Sequence, residues 1–201
     1  MKATAWIILL TIIVAGCSTF QDAGLYQQAA QPDNKPNING FYQVAIFRDV
    51  YSGDVWFSKK PECVQVAFET KEVKTGDGAL SIKWDKQAAD CGWIGMGFGW
   101  DNWTGKDLSL ITHTAAISFW AKTKKGSSKG LPWAVGFEDF SGNQAWSGVT
   151  ADCVKGGVIG NTWTEVIIPL DRFSLDDADI DPTTIKQLLF QFESSGSIWM
   201  D

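Results

Sequence analysis

The sequence predicts an all-β fold, and three observations carry the expectation. Short runs rich in Val, Ile, Phe, Trp and Thr recur from about residue 41 to residue 201, the residue types that suit a pleated surface. Turn chemistry separates them, as at Thr75-Gly76-Asp77-Gly78, Lys125-Gly126-Ser127-Ser128 and Ser141-Gly142-Asn143. Only "LDRFSLDDADIDPTTIK", residues 170–186, offers a helical turn or two. Many short strands with little helix mean a sandwich or a barrel.

The elements follow from the N-terminus. Met1-Lys2 carries a positive charge, and the apolar run Ala5 to Val14 follows it. A bilayer-spanning helix needs about 20 residues, so this run is too short to anchor and reads as the core of a cleavable signal, residues 1–16. The closing Val14-Ala15-Gly16-Cys17 resembles the bacterial lipoprotein signal, which implies a lipidated Cys17 as the new N-terminus, tethering the protein to a membrane. The alternative is an ordinary signal peptide with a chance cysteine. Ser18, where an Asp would argue for inner-membrane retention, points to the outer membrane of the bacterial cell envelope. Residues 17–40 form the lipidated terminus and a linker: polar, with two prolines and no sustained period, they cannot bury enough apolar surface to fold alone. As a flexible coil this leash reaches roughly 25 Å.

Residues 41–201 then make one domain, with strands expected at "YQVAIFR" (42–48), "VQVAFET" (64–70), "ALSIKWD" (79–85), "WIGMGFG" (93–99), "AAISFWAK" (115–122), "PWAVGFED" (132–139), "AWSGVTA" (145–151), "WTEVIIPL" (163–170), "QLLFQFE" (187–193) and "SIWMD" (197–201). Successive side chains of a strand point to opposite faces. In "WIGMGFG" that puts Ile94, Met96 and Phe98 toward a core and Trp93, Gly95, Gly97 and Gly99 on the other face. In "WAVGFED", Val135 and Phe137 face inward while Ala134, Gly136 and Glu138 face out; in "AWSGVTA", Trp146, Gly148 and Thr150 share a side. A row of glycine in a strand marks a close approach to the backbone, or a bulge that curves the sheet.

The outward faces together suggest a floor of small residues edged by Trp93 and Trp146. A sugar ring, with an apolar C–H face flanked by hydroxyls, suits a flat aromatic platform with polar groups beside it. Glu138, Asp139 and Gln144 are candidates for those hydrogen bonds, as are Asp101 and Asn102 between Trp100 and Trp103. Trp84, Trp120, Trp163 and Trp199 lie in apolar strand contexts and are expected in the core.

The order "GDGALSIKWD", "GW…GW…DLS…ISFWAKT", "W…GFEDFSG", "WTEVIIPLDRF", "IKQLLFQFE" and a terminal "SIWMD" resembles the galactose-binding-like jelly rolls of carbohydrate-binding modules, near the family-eleven glucan-binding kind. The resemblance spans about residues 41–201. It implies a two-sheet antiparallel β-sandwich, a concave sheet that binds a glycan such as β-glucan, and a structural calcium (Ca2+) at the rim. Asp49, the turn around Asp77, and Asp201 fall where such modules build that calcium site. In such modules the last strand runs several residues past its Asp, whereas this sequence ends at Asp201.

Other chemistries find less support. A formal charge of −6, more negative once Lys2 leaves with the signal, disfavours nucleic acid as a partner. One histidine, His113, and no Cys-x-x-Cys leave no zinc set, and His113 reads as a solvated turn residue. "LDDADID" lacks the glycine and closing Glu of an EF-hand and reads as an exposed loop. Besides Cys17 there are Cys63, Cys91 and Cys153, which allow at most one internal disulfide; position favours Cys63 with Cys91, but the spacing leaves connectivity open. No nucleophile elbow or Ser/His/Asp pattern is present. The leading expectation is binding without catalysis, with a glycan as partner and a glycan-degrading enzyme as a possible neighbour. The alternatives are a glycoside hydrolase or lyase of jelly-roll fold, and a structural surface lipoprotein that meets a protein partner.

Overall fold

The computed structural model describes residues 47–48, 50–51, 55–57, 60, 62–88, 90–99 and 103–201. The expected signal, Cys17, the linker, Asp49, Trp100, Asp101 and Asn102 lie outside the described residues. Among these, β-branched and aromatic runs form β1 (Phe47–Arg48), β2 (Val50–Tyr51), β3 (Val55–Phe57), β4 (Val64–Glu69), β5 (Ala79–Asp85), β6 (Gly95–Gly99), β7 (Ala116–Thr123), β8 (Trp133–Asp139), β9 (Gln144–Gly148), β10 (Thr164–Pro169), β11 (Ile185–Phe192) and β12 (Ser195–Met200). The helical content expected around residues 170–186 is two 3-10 turns, Leu170–Phe173 and Pro182–Thr184, and a third lies at Ala151–Cys153.

Two five-stranded sheets result, one ordered β10-β7-β12-β5-β4 and the other β3-β6-β11-β8-β9, with β1 and β2 as a small separate ribbon. Every pairing is antiparallel. The all-β sandwich predicted from the sequence is therefore the fold.

Period-two alternation fills the space between the sheets. Ile94, Met96, Phe98, Val135 and Phe137 are all buried, as the strand pattern requires. Each such side chain contributes about 1.5–3 kcal/mol of burial free energy. Aromatic rings dominate the middle: Trp133 lies 4.9 Å from Phe192 and 5.3 Å from Trp84, both edge-on. That geometry sets positive ring edges against negative faces.

Of the four tryptophans expected in the core, only Trp84 is there. Trp120, Trp163 and Trp199 are half-buried. Alternation gives the reason for two of them. On β7 and β12 the buried positions are Phe119, Ala121, Thr123, Ile198 and Met200, so Trp120 and Trp199 point to the outer face. Lysine ammonium groups lie over them there, Lys74 at 4.5 Å from the Trp120 ring, with Lys122 at 5.2 Å and Lys124 at 5.1 Å from Trp199. Cations over an indole face are attracted by its quadrupole.

The Cys63–Cys91 disulfide forms, and Cys153 is buried and free. The bond joins the start of β4 in one sheet to the segment that leads into β6 of the other.

Candidate functional site

Register across the second sheet sets three rows on its outer face. The middle row runs Trp56, Gly97, Leu189, Gly136, Trp146 over β3, β6, β11, β8 and β9. On one side lies Gly99, Gln187, Glu138, Gln144, and on the other Gly95, Gln191, Ala134, Gly148. Both glycine-bearing strands thus place their small residues beside a neighbour that carries a large ring.

The rings use that space. A β-carbon added at Gly97 would stand 2.5 Å from Trp56 Nε1, and one at Gly95 would stand 2.3 Å from the Phe190 carbonyl oxygen and 2.4 Å from Trp93 Cη2. At Gly99 it would meet Trp103 at 2.6 Å, and at Gly136 it would meet Trp146 at 2.6 Å. Each of four indoles therefore lies down on one glycine, in contact that any side chain would forbid. Leu189, though it faces outward in the middle row, is only 2% exposed. This corrects the expected picture of a bare floor edged by tryptophan: the glycines seat the rings, and the accessible surface is aromatic. Gly148 remains open, with nothing nearer than the Thr150 methyl at 3.9 Å.

Trp93 is the most exposed of the four at 48%, and Trp56, Trp103 and Trp146 are half-buried. Trp56 and Trp93 lie 5.6 Å apart between centroids with their planes inclined by 31°. The indole nitrogens are tied down. Trp56 Nε1 donates to Gln187 Oε1 at 2.7 Å, Trp93 Nε1 to Gln191 Oε1 at 2.9 Å, and Trp146 Nε1 to Gln144 Oε1 at 3.3 Å.

The charged groups of this face are paired. Glu138 accepts from Lys186 Nζ at 2.6 Å and from Gln144 Nε2 at 2.7 Å. Glu193 accepts from Lys86 Nζ and from Gln191 Nε2, the latter at 2.7 Å. Burial pushes the Glu138 carboxyl up, but the bonds from Lys186 and Gln144 outweigh it and hold it below the usual carboxylate range. The Lys86 and Gln191 bonds hold Glu193 down in the same way. Lys186 Nζ also stands 5.9 Å from the Trp103 ring centroid.

Among the sequence candidates, Trp93, Trp103, Glu138, Gln144 and Trp146 meet on this one face. Asp139 does not. It follows Glu138 on the same strand, so alternation turns it inward, where it is fully buried. There it accepts from the backbone N–H of Asn143 and of Asp181, each at 3.0 Å, and from Asn143 Nδ2. It joins the β8–β9 turn to the loop before Pro182 and is structural. Trp56, Gln187, Gln191 and Lys186 were missed. The run "VWF" that carries Trp56 is three residues long behind Ser52-Gly53-Asp54, too short for a periodic signal, whereas "KQLLFQF" does place Gln187 and Gln191 on one side.

At the rim, Asp201 Oδ2 accepts from the backbone N–H of Lys74 at 2.7 Å and of Thr75 at 3.0 Å, while its Oδ1 accepts from Thr75 Oγ1 at 3.1 Å. Three donors thus bind that carboxylate, two of them at Oδ2. Among the described residues, no three Asp, Glu, His or Cys side chains gather as a metal set. Asp77 and Asp201 alone do not make a calcium shell, which needs several more oxygens.

Comparison with known proteins places this geometry. The family model for carbohydrate binding domain 30 matches residues 43–201. The fold is similar to that of the family 30 carbohydrate-binding module of the cellulosomal cellulase Cel9D-Cel44B of Clostridium thermocellum, with a TM-score of 0.56 and 18% identity over 72% of this chain and 82% of that one. It is equally similar to a second structure of a family 30 module, at a TM-score of 0.57 and 18% identity over 72% and 74% of the two chains. No curated protein sequence matches.

Proposed function

The chain belongs to the carbohydrate binding domain 30 family, and from that premise we propose that the indole-covered face of the β3-β6-β11-β8-β9 sheet binds a polysaccharide or oligosaccharide without catalysis, β-glucan being the class that fits best. The observation that carries this reading is the seating of four indoles on four glycines, with Trp93 48% exposed and the other three half-buried. Rings laid along a sheet make a broad, shallow platform. A ribbon-like β-linked glycan presents apolar ring faces of matching shape, and stacking on the indoles desolvates both partners.

The state of the carboxylates favours binding over hydrolysis. A glycosidase acid must hold its proton near neutral pH. Glu138 and Glu193 are displaced the opposite way and locked in ion pairs. Affinity electrophoresis in gels of mixed-linkage β-glucan, xylan and mannan tests the assignment. Retardation in β-glucan that disappears in Trp93→Ala and Trp56→Ala is expected. No retardation in any gel would move the assignment to a protein-binding surface, and reducing-sugar release would demand an enzyme.

Two further readings rest on sequence alone. The signal and Cys17 support a lipid tether at the outer membrane, beside a glycan-degrading enzyme; Cys17→Ser should release the protein to the soluble fraction, and continued membrane association would reject the tether. A rim calcium would have to draw oxygens from the first strand, around Asp49, to complete what Asp77 and Asp201 lack. Chelation should then lower the melting temperature, since an ion bound only by the native state stabilises it. Unchanged melting would remove the ion.

A further inference from the structure

Two of the seated indoles end in the same chemical sequence. Trp93 donates its N–H to Gln191, whose amide donates to Glu193, which is paired to Lys86. Trp146 donates to Gln144, whose amide donates to Glu138, which is paired to Lys186. Trp56 donates to Gln187, which stands opposite Glu138 in the β11–β8 register. Two lysine–glutamate pairs thus serve two glutamines and two rings.

A glutamine amide is two-ended: its oxygen accepts and its NH2 donates. Left alone it turns over freely, and half of its orientations offer an indole N–H another donor. A carboxylate accepts only, so an amide beside it must present NH2 to it and oxygen away from it. The ion pair keeps that carboxylate charged. A glycine seat limits how far a ring can sink, but it does not fix the rotation of the ring in its own plane or its tilt, and the N–H anchor does.

We propose that Glu138 and Glu193 are positioning residues of the platform: through their glutamines they hold the indoles of Trp146 and of Trp93 flat and prealigned for a glycan they do not themselves touch. This rests on the glycan-binding assignment of the same face. It also revises the roles expected for Glu138 and Gln144, whose polar atoms are engaged with each other, with Lys186 and with Trp146 rather than turned to a ligand.

The assignment of ring to carboxylate is specific, and that makes it testable. In ¹⁵N-labelled protein, Glu193→Leu should shift the indole N–H resonance of Trp93 and speed its exchange, leaving Trp146 unmoved. Glu138→Gln should do the reverse, disturbing Trp146 and sparing Trp93; the isosteric amide keeps this less exposed site folded. Cellohexaose binding by calorimetry should weaken about threefold to tenfold in Glu193→Leu, the cost of ordering one loosened side chain on binding. In a Trp93→Ala background the same change should cost nothing further. Unmoved indole resonances, or an affinity loss of equal size with and without Trp93, overturn the proposal. If the resonances respond as stated but the wild-type protein binds no glycan, the anchoring stands and the glycan assignment falls.

Discussion

At the scale of single residues, the glycines of β6 and β8 matter through what they lack. Gly97→Ala places a methyl where the Trp56 indole now lies, 2.5 Å from its Nε1. Backbone geometry at Gly97 suits any residue, so the fold tolerates alanine and the ring must give way. Overpacking of this kind costs about 1–3 kcal/mol, here divided between a lifted ring and a strained edge strand. The expected result is weaker β-glucan retardation with stronger acrylamide quenching of tryptophan, and unchanged quenching would show that the ring does not rest on Gly97. Much of this face could be read from residues alone. Alternation in "WIGMGFG" separates the glycine side from Ile94, Met96 and Phe98 without any structure. What periodicity could not say is which object approaches the glycines, because the rings come from outside the strand they cover: Trp56 from β3, Trp146 from β9 and Trp103 from the segment beyond Gly99. Asp139 shows the opposite failure, since its own alternation already excluded it from the outer face.

At the scale of elements, the disulfide links packing to the platform. Cys63 leads directly into β4, an edge strand of the first sheet, and Cys91 stands two residues before Trp93. Gly92 between them has nothing within 4 Å of a β-carbon position, so the disulfide at Cys91 and the Trp93–Gln191 bond hold that segment on either side of it. Closing a loop across a sequence separation of 28 removes unfolded-chain freedom worth about 3–4 kcal/mol in the chain-entropy account. Reduction with dithiothreitol should lower the melting temperature and weaken β-glucan binding, and the binding loss should shrink in Trp93→Ala. If binding survives reduction with full strength, the disulfide braces the sandwich alone. Position along the chain favoured this pairing, but β3 and the row that spans all five strands could not be foreseen, because pairing order is a property of long-range contacts.

At the scale of the whole molecule, the acidic chain carries its carboxylates in a way that sets its response to acid. Asp139 is buried, which pushes its carboxyl up, but N–H donors from Asp181, Asn143 and Ser141 outweigh burial and hold it below the usual carboxylate range. Glu138 and Glu193 are held down by their lysine and glutamine partners, against burial that acts the other way. A carboxyl whose folded value lies below its unfolded one binds its proton more weakly in the native state. The stability it contributes is therefore complete above the ordinary values of about 3.9 for Asp and 4.3 for Glu, and drains as pH falls through the depressed native values. Melting temperature should stay level from neutral pH down to about pH 5 and fall below that. Glu138 and Glu193 hold the rings while Asp139 holds a turn, so glycan affinity and stability should decline in the same acid window. Asp139→Asn keeps the side-chain volume but sets an NH2 against backbone donors, so it should lower the melting temperature at neutral pH and flatten its acid dependence. A variant that melts like the wild-type protein at every pH would show that the acid response arises elsewhere in the chain.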